Sequence, residues 1–192
     1  TSLESIKGLK MRIPGIGGEV FKRAGGVPVN IPGGELYTAL QTGVIDATEW
    51  VGPYNDLAFG FQQIAKYYYF PGWHEPGSML EFIINLDAWN ELPTHLQSIV
   101  KTAAKAVNQD LLDEYTAMNN QALRELIDVH TVQLKKLPDD VINEFRVISK
   151  SVLDEIAEND NQFKSIYESY LKFKSEVVSY HEISEDAYTK IR

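Results

Sequence analysis

Residues 32–52 read PGGELYTALQTGVIDATEWVG, and this stretch decides the fold class. Its first half predicts a short amphipathic helix, because Leu36, Ala39 and Leu40 recur three and four residues apart and share one face. Gly43 predicts the stop, since glycine takes the left-handed conformation that ends many helices. Val44 to Thr48 then reads as a short buried strand that closes at Glu49-Trp50-Val51-Gly52. In open α/β sheets ligands sit outside the carboxyl ends of strands, so a carboxylate and an indole there form a candidate binding site. Taken alone, the same pair is equally a surface acid and a core tryptophan.

The residues before this stretch supply the rest of a β-α-β-α-β series. Leu9-Lys10-Met11-Arg12-Ile13 alternates apolar and polar residues and stops at Pro14-Gly15, as a strand does. Gly17 to Ala24 makes a short helix closed by Gly25-Gly26. Val27 to Ile31 gives a second strand, with Pro28 predicting an edge or irregular one. Such alternation implies a mostly parallel sheet with helices packed on it. It also puts Arg12 and Glu49 on the same rim, near carboxyl ends of strands.

Further along, Leu57, Phe61, Ile64 and Ala65 keep helical spacing, and Tyr67 to Phe70 reads as an aromatic strand. The loop Pro71-Gly72-Trp73-His74-Glu75-Pro76-Gly77 presents three functional side chains between prolines and glycines, a constraint common in functional loops. Met79 to Leu86 predicts another buried strand, and Asp87 a short helical turn ending at Leu92-Pro93. From Thr94, read as an N-cap, a helix runs without proline or glycine to about Asp128. Ile99, Ala103, Ala106, Leu111, Tyr115, Met118, Leu123 and Leu126 hold its rhythm. A short strand over Val132–Leu134 follows. Pro138 opens the next helix, with Asp139 and Asp140 favouring its macrodipole. Asn159-Asp160-Asn161 breaks it, and Phe163 to Tyr180 forms a further helix. Its stripe of Phe163, Tyr167, Tyr170, Leu171, Phe173 and Val177 predicts a docking face on this chain, with a partner-helix surface as the alternative.

At 192 residues the chain buries a real core and has room for one or two domains. A net charge of −9 without a Lys/Arg run argues against a phosphate-backbone partner. With no cysteine, disulfides, thiol catalysis and thiolate metal sites are excluded. No apolar run approaches the length of a membrane span. No signal peptide is visible, and an opening at Thr1-Ser2-Leu3 reads as a piece of something longer.

The chemistry-bearing residues are few. Arg12, a fixed cation on a strand end, suits a bidentate carboxylate clamp, although alone it is as well a surface arginine. Glu49 and Glu75, on separate loops, make either an acid/base pair or a hard oxygen site for Na⁺ or Ca²⁺, to which the Trp50 carbonyl adds a further oxygen. His74, His95, His130 and His181 are widely spaced and form no zinc pattern. Gly15-x-Gly17-Gly18 lacks dinucleotide spacing, and no nucleophile elbow, Walker loop or kinase signature occurs.

Three segments together resemble a known family. Lys7-Gly8-Leu9-Lys10-Met11-Arg12, then Gly25-Gly26-Val27-Pro28-Val29, then Glu35 to Ala47 look like the extracytoplasmic solute receptors of TRAP transporters, the DctP family. The motifs run in order up to Trp89…Leu92-Pro93. Glu49-Trp50 and Gly72-Trp73-His74-Glu75-Pro76-Gly77 further resemble the branch that binds 2-oxo acids or lactate with a metal ion.

The resemblance implies a non-enzymatic periplasmic receptor that closes on a small carboxylate such as pyruvate. It implies an α/β, periplasmic-binding-protein-like lobe with a mostly parallel sheet, followed by long helices. Residues 1–86 would be the second ligand-binding lobe with a crossing strand. Residues 87–192 would hold a hinge-spanning helix, a short strand and a helical tail. Arg12 matches the carboxylate clamp, with Trp50 beside it. Glu49, Glu75 and the Trp50 carbonyl match the ligands of a bound Na⁺ or Ca²⁺ bridging to substrate. Transport itself belongs to membrane subunits, and dimers exchanging C-terminal helices are described in this branch. Most of the first lobe would lie ahead of Thr1, so this piece alone is expected to bind weakly. Two rival readings are a metal-dependent lyase or hydrolase using Glu49 and Glu75, with His74 shuttling protons, and a helical dimerisation module built on the tail.

Overall fold

The computed structural model describes residues 2–77 and 80–192. Strand β1 (Lys10–Arg12) is the centre of a three-stranded sheet in the order β2-β1-β3, with β2 at Val27–Val29 and β3 at Ala47–Thr48. Both pairings are parallel, with Met11 opposite Pro28 and Ala47. Pro28, which has no amide to donate, thus lies on an edge strand, where a ladder tolerates it. Helices α1 (Leu3–Ile6), α2 (Gly15–Arg23) and α3 (Leu36–Gln41) complete the alternation.

The strand predicted over Val44–Thr48 is shorter than expected. Gly43 ends α3 at φ +73°, and the Val44 and Ile45 amides then both donate to the Ala39 carbonyl, at 2.9 and 3.3 Å. Those two residues close the helix, so the sheet begins only once the Asp46 amide reaches the Lys10 carbonyl. Ile45 is nevertheless buried, against Leu36, Ala39 and Phe61, with Trp50 packed on the same cluster.

The helix expected over 53–66 is interrupted. Helix α4 spans Pro53–Ala58, and a 3-10 turn follows at Phe61–Gln63, because Gly60 between them stands at φ +77°. Strand β4 (Tyr67–Phe70) pairs in parallel with β5 (Gln133–Lys136), from Tyr67 opposite Gln133 to Phe70 opposite Lys136. Helix α5 covers Leu86–Glu91. Helix α6 covers Thr94–Asp128, with Pro93 rather than Thr94 in the capping position. Its rhythm of apolar residues is used unevenly. Ala122 and Leu126 are buried and Tyr115 meets Tyr54 of α4, whereas Ile99, Val107 and Leu112 are exposed.

Helix α7 (Asp139–Asn159) supplies the second half of the main core. Val141, Phe145 and Val152 pack with Ile6, Ile13, Val20 and Phe21 from the sheet side. A bidentate pair from Arg23 to Glu155, at 2.6 and 2.8 Å, ties α2 to α7 at the surface.

Two expectations are corrected. Of the strand predicted over Met79–Leu86, Met79 lies outside the described residues. Leu80 to Asn85 form neither helix nor strand and are exposed except for half-buried Ile84, with Phe82 at 74% and Ile83 at 81%. An apolar run shows that a segment can be covered, but a strand also needs a neighbour, and neither described sheet offers one here. The stripe on α8 (Asn161–Ile183) docks on this chain only in part. That helix starts on an Asp160 cap and has no buried residue; Phe163, Tyr167 and Val177 are half-buried, whereas Tyr170, Leu171 and Phe173 are exposed. A short α9 (Glu185–Ile191) closes the chain, and no helix among the described residues is long and apolar enough to cross a membrane.

Candidate carboxylate and cation site

The carboxyl ends of β1 and β3 carry the site. Arg12 ends β1, and the Glu49 amide donates to its carbonyl at 3.3 Å, which sets the two side chains on one rim. The Arg12 guanidinium forms an ion pair with Glu49 through Nη1 and Oε1, and its Nε donates to the Ile31 carbonyl at 3.2 Å. The pair is sheltered, with side-chain exposures of 14% for Arg12 and 9% for Glu49. A sheltered pair compensates two desolvated charges, and removing one partner strands the other.

Trp50 forms the wall beside this pair. The Arg12 guanidinium carbon stands 5.6 Å from its ring centroid, and Phe59 packs on it at 4.9 Å. The close approach on the other side requires Gly33: a Cβ there would stand 2.4 Å from the indole. The indole Nε1–H is buried without a hydrogen-bond partner. A buried donor left unmade is costly, so a ligand oxygen at this wall would be rewarded.

The second half of the site comes from the loop after β4. Trp73 stacks on Phe145 of α7 with centroids 4.1 Å apart, which pins the loop to the core. His74 lies against Gly17 of α2, where a Cβ would make ordinary contact with the His74 Cβ at 3.5 Å and a tighter one with the Ile13 side chain at 3.2 Å. Gly18 is closer still, since its Cβ would meet the Ile13 carbonyl oxygen at 2.6 Å. His74 Nε2 reaches 3.5 Å from Glu49 Oε2, and its Nδ1 is buried without a partner. One ligand atom each from Glu49, His74 and exposed Glu75 lie within 4.8 Å of one another.

Carboxylate oxygens and a backbone carbonyl are hard ligands that suit Na⁺ or Ca²⁺, whereas imidazole suits borderline metals. Glu49 and Glu75 bring hard carboxylate oxygens to this cluster, and His74 brings an imidazole nitrogen. The orphaned Trp50 and His74 nitrogens on the same rim fit an oxygen-rich guest. His95, His130 and His181 lie far along the chain on other elements.

Behind the rim is a residue that spacing does not flag. Asp56, on the first turn of α4, is only 7% exposed, and the Tyr68 hydroxyl donates to its Oδ2 at 2.5 Å. Burial pushes the Asp56 carboxyl above the usual carboxylate range and the Glu49 charge adds to this, while Tyr68 and the nearby Val51 and Gly52 amides oppose it. Those amides favour the charge but leave Oδ1 without a well-formed hydrogen bond. Burial, with the Asp56 charge next, pushes the Tyr68 hydroxyl up as well. In sequence, Asp56 looks like any acid placed for a helix dipole.

The model of bacterial extracellular solute-binding proteins, family 7 (DctP), matches residues 1–160. A monocarboxylate 2-oxoacid-binding periplasmic protein of Nostoc sp. is 42% identical over 187 residues, covering 97% of this chain and 51% of that protein. A TRAP periplasmic solute-binding protein of Colwellia psychrerythraea, solved with calcium and pyruvate, is 41% identical with a TM-score of 0.95, covering 100% of this chain and 58% of its own. Its counterpart from Pseudoalteromonas atlantica, with sodium and pyruvate, is 39% identical at a TM-score of 0.93, over 99% of this chain and 58% of its own. A solute-binding protein of Bordetella bronchiseptica, a dimer with calcium and picolinate, is 36% identical at 0.92, over 99% of this chain and 56% of its own. The chain thus spans about half the length of the Nostoc relative.

Proposed function

Because this chain belongs to family 7 of the bacterial extracellular solute-binding proteins, the DctP family, we propose that it forms the ligand-gripping part of a TRAP solute receptor. The solute is a small monocarboxylate, a 2-oxo acid such as pyruvate or else lactate, taken up with Na⁺ or Ca²⁺. The observation that carries this reading is the guanidinium of Arg12 set directly beside the oxygen cluster of Glu49 and Glu75. Relatives solved with pyruvate and calcium or sodium support the choice of guest.

The roles follow from charge. Arg12 neutralises the solute carboxylate, and Trp50 offers its indole N–H and an apolar wall. Glu49, Glu75 and the Trp50 carbonyl hold the cation, which supplies a fixed positive charge for the solute's oxygens. Glu49 also pairs with Arg12, so a solute carboxylate meets a guanidinium that is already shared. Residues 1–86 act as the second ligand-binding lobe and crossing segment, and residues 87–192 as hinge-spanning helix, short strand and helical tail. The receptor works in the periplasm, delivers to separate membrane subunits and performs no chemistry on its solute. Relatives described as solute-binding proteins favour this over a lyase or hydrolase. The largely exposed stripe on α8 suits a second copy of the chain, and the Bordetella relative is a dimer.

The test is calorimetric titration of the complete protein with pyruvate, 2-oxobutyrate and lactate, with and without Na⁺ and Ca²⁺. Binding should depend on the cation and be lost in Arg12→Ala and in Glu75→Gln. Failure to bind any of these acids would move the solute elsewhere and leave Glu49 and Glu75 as structural acids.

A further inference from the structure

We propose that Asp56 is a positioning residue that locks together the two segments forming the cation site, an inference that rests on assigning that site to Glu49, Trp50 and Glu75. The segments come from different parts of the fold. Glu49 and Trp50 follow β3, while Glu75 lies in the loop that β4 feeds. Asp56 touches the approach to both. Its Oδ2 holds the hydroxyl of Tyr68, in the middle of β4, at 2.5 Å, and the helix that carries it starts from the Gly52 cap, two residues after Trp50. Its own amide donates to the Gly52 carbonyl at 2.9 Å, the first bond of α4.

Asp56 thereby ties the turn that follows Trp50 to β4. Asn119 of α6 steadies the same turn, since its Oδ1 accepts from the Tyr54 amide at 3.0 Å and would lie 3.1 Å from a Cβ at Gly52. A folding role alone is a poor account of the acid. Burial disfavours its charge, and Oδ1 remains without a partner, so an amide or an apolar side chain would suit packing as well or better.

The experiment is calcium titration of the complete protein, wild type against Asp56→Asn, Tyr68→Phe and the double variant. Glu75→Gln serves as the ligand control and Val152→Ala, in the distant α7 core, as the stability control. Outer-shell partners of metal ligands typically matter by 10–100-fold in affinity, and each single variant should weaken calcium by about that factor. The double variant should be no worse than the weaker single one, because Asp56→Asn removes the charge and Tyr68→Phe the donor of the same hydrogen bond. Val152→Ala should lower the melting temperature and leave calcium affinity unchanged. Wild-type calcium binding in Asp56→Asn and Tyr68→Phe, with binding lost in Glu75→Gln, overturns the inference and spares the site. Unchanged binding in Glu75→Gln overturns the site and the inference with it. Should Asp56→Asn fail to fold, Tyr68→Phe, which keeps the ring, decides alone.

Discussion

Helices α7 and α8 follow one another through a single break at Asp160, have similar lengths of 21 and 23 residues, and both carry an apolar stripe. Their fates are opposite. Phe145 of α7 is 3% exposed and Phe173 of α8 is 65% exposed. Helical periodicity thus specifies that a face exists and leaves open what covers it. On α7 the cover is α2 and the sheet, fixed by Val20, Phe21 and Ile13. Little in the described fold covers α8, the first half of α6 or residues 80–85. The molecule divides into a covered region, which also holds the Arg12–Glu49 rim, and an uncovered one made largely of exposed carbon.

The largest test of this division is Phe145→Ala. Truncating a buried phenylalanine removes transfer free energy and leaves a cavity, together about 3–5 kcal/mol. Phe145 also stacks on Trp73, so its loss frees the loop that carries His74 and Glu75. Urea unfolding of Phe145→Ala should show a loss of that size, with calcium affinity falling alongside. A loss below about 1 kcal/mol would mean that α7 is no better covered than α8.

Much of the covered region was legible in the sequence, for reasons that are local. Alternation over Leu9–Ile13, the Leu36–Ala39–Leu40 face and Gly43 placed β1, α3 and the turn after it, and the resulting rim brings Arg12 to Glu49. Gly60 and the closing bonds to Ala39 shortened elements whose periodicity looked continuous, since one backbone angle or one shared carbonyl leaves little trace in an apolar pattern. The Met79–Leu86 strand failed differently: its apolar content was read correctly, but strand pairing is a property of a neighbour. Asp56 was invisible because an acid in the first turn of a helix is ordinarily exposed. Only Tyr68, the inward member of an alternating Tyr67–Tyr68–Tyr69 run, hinted that a polar partner lay beneath β4.

Asp56 sharpens the comparison at intermediate size, because cover that favours carbon disfavours charge. Burial raises its carboxyl above the ordinary value, so the folded chain holds this proton more tightly than the unfolded one. Its contribution to stability is therefore full below the unfolded value, near 3.9. It declines as pH rises through the raised folded value, and the cost is complete above that. Melting temperatures of wild type and Asp56→Asn across the acidic range should diverge accordingly, with wild type losing ground as pH rises. Parallel curves would show that the carboxylate is as well solvated as one on α8.

The smallest effect is expected on the uncovered side. Phe173→Ser removes a large apolar side chain, yet the chain's own fold barely feels it, because Phe173 already faces solvent. Surface changes of this kind usually stay within about 0.5 kcal/mol, so unfolding at low protein concentration should match wild type. The same substitution should act strongly on assembly if the α8 stripe meets a second copy. Sedimentation of the complete protein across concentrations would then show a dimer in wild type and a shift toward monomer in Phe173→Ser. Unfolding and assembly separate the two causes of an exposed stripe. A variant that loses fold stability would place the cover on this chain, one that loses only mass would place it on a partner, and one that loses neither would leave α8 a solvated helix.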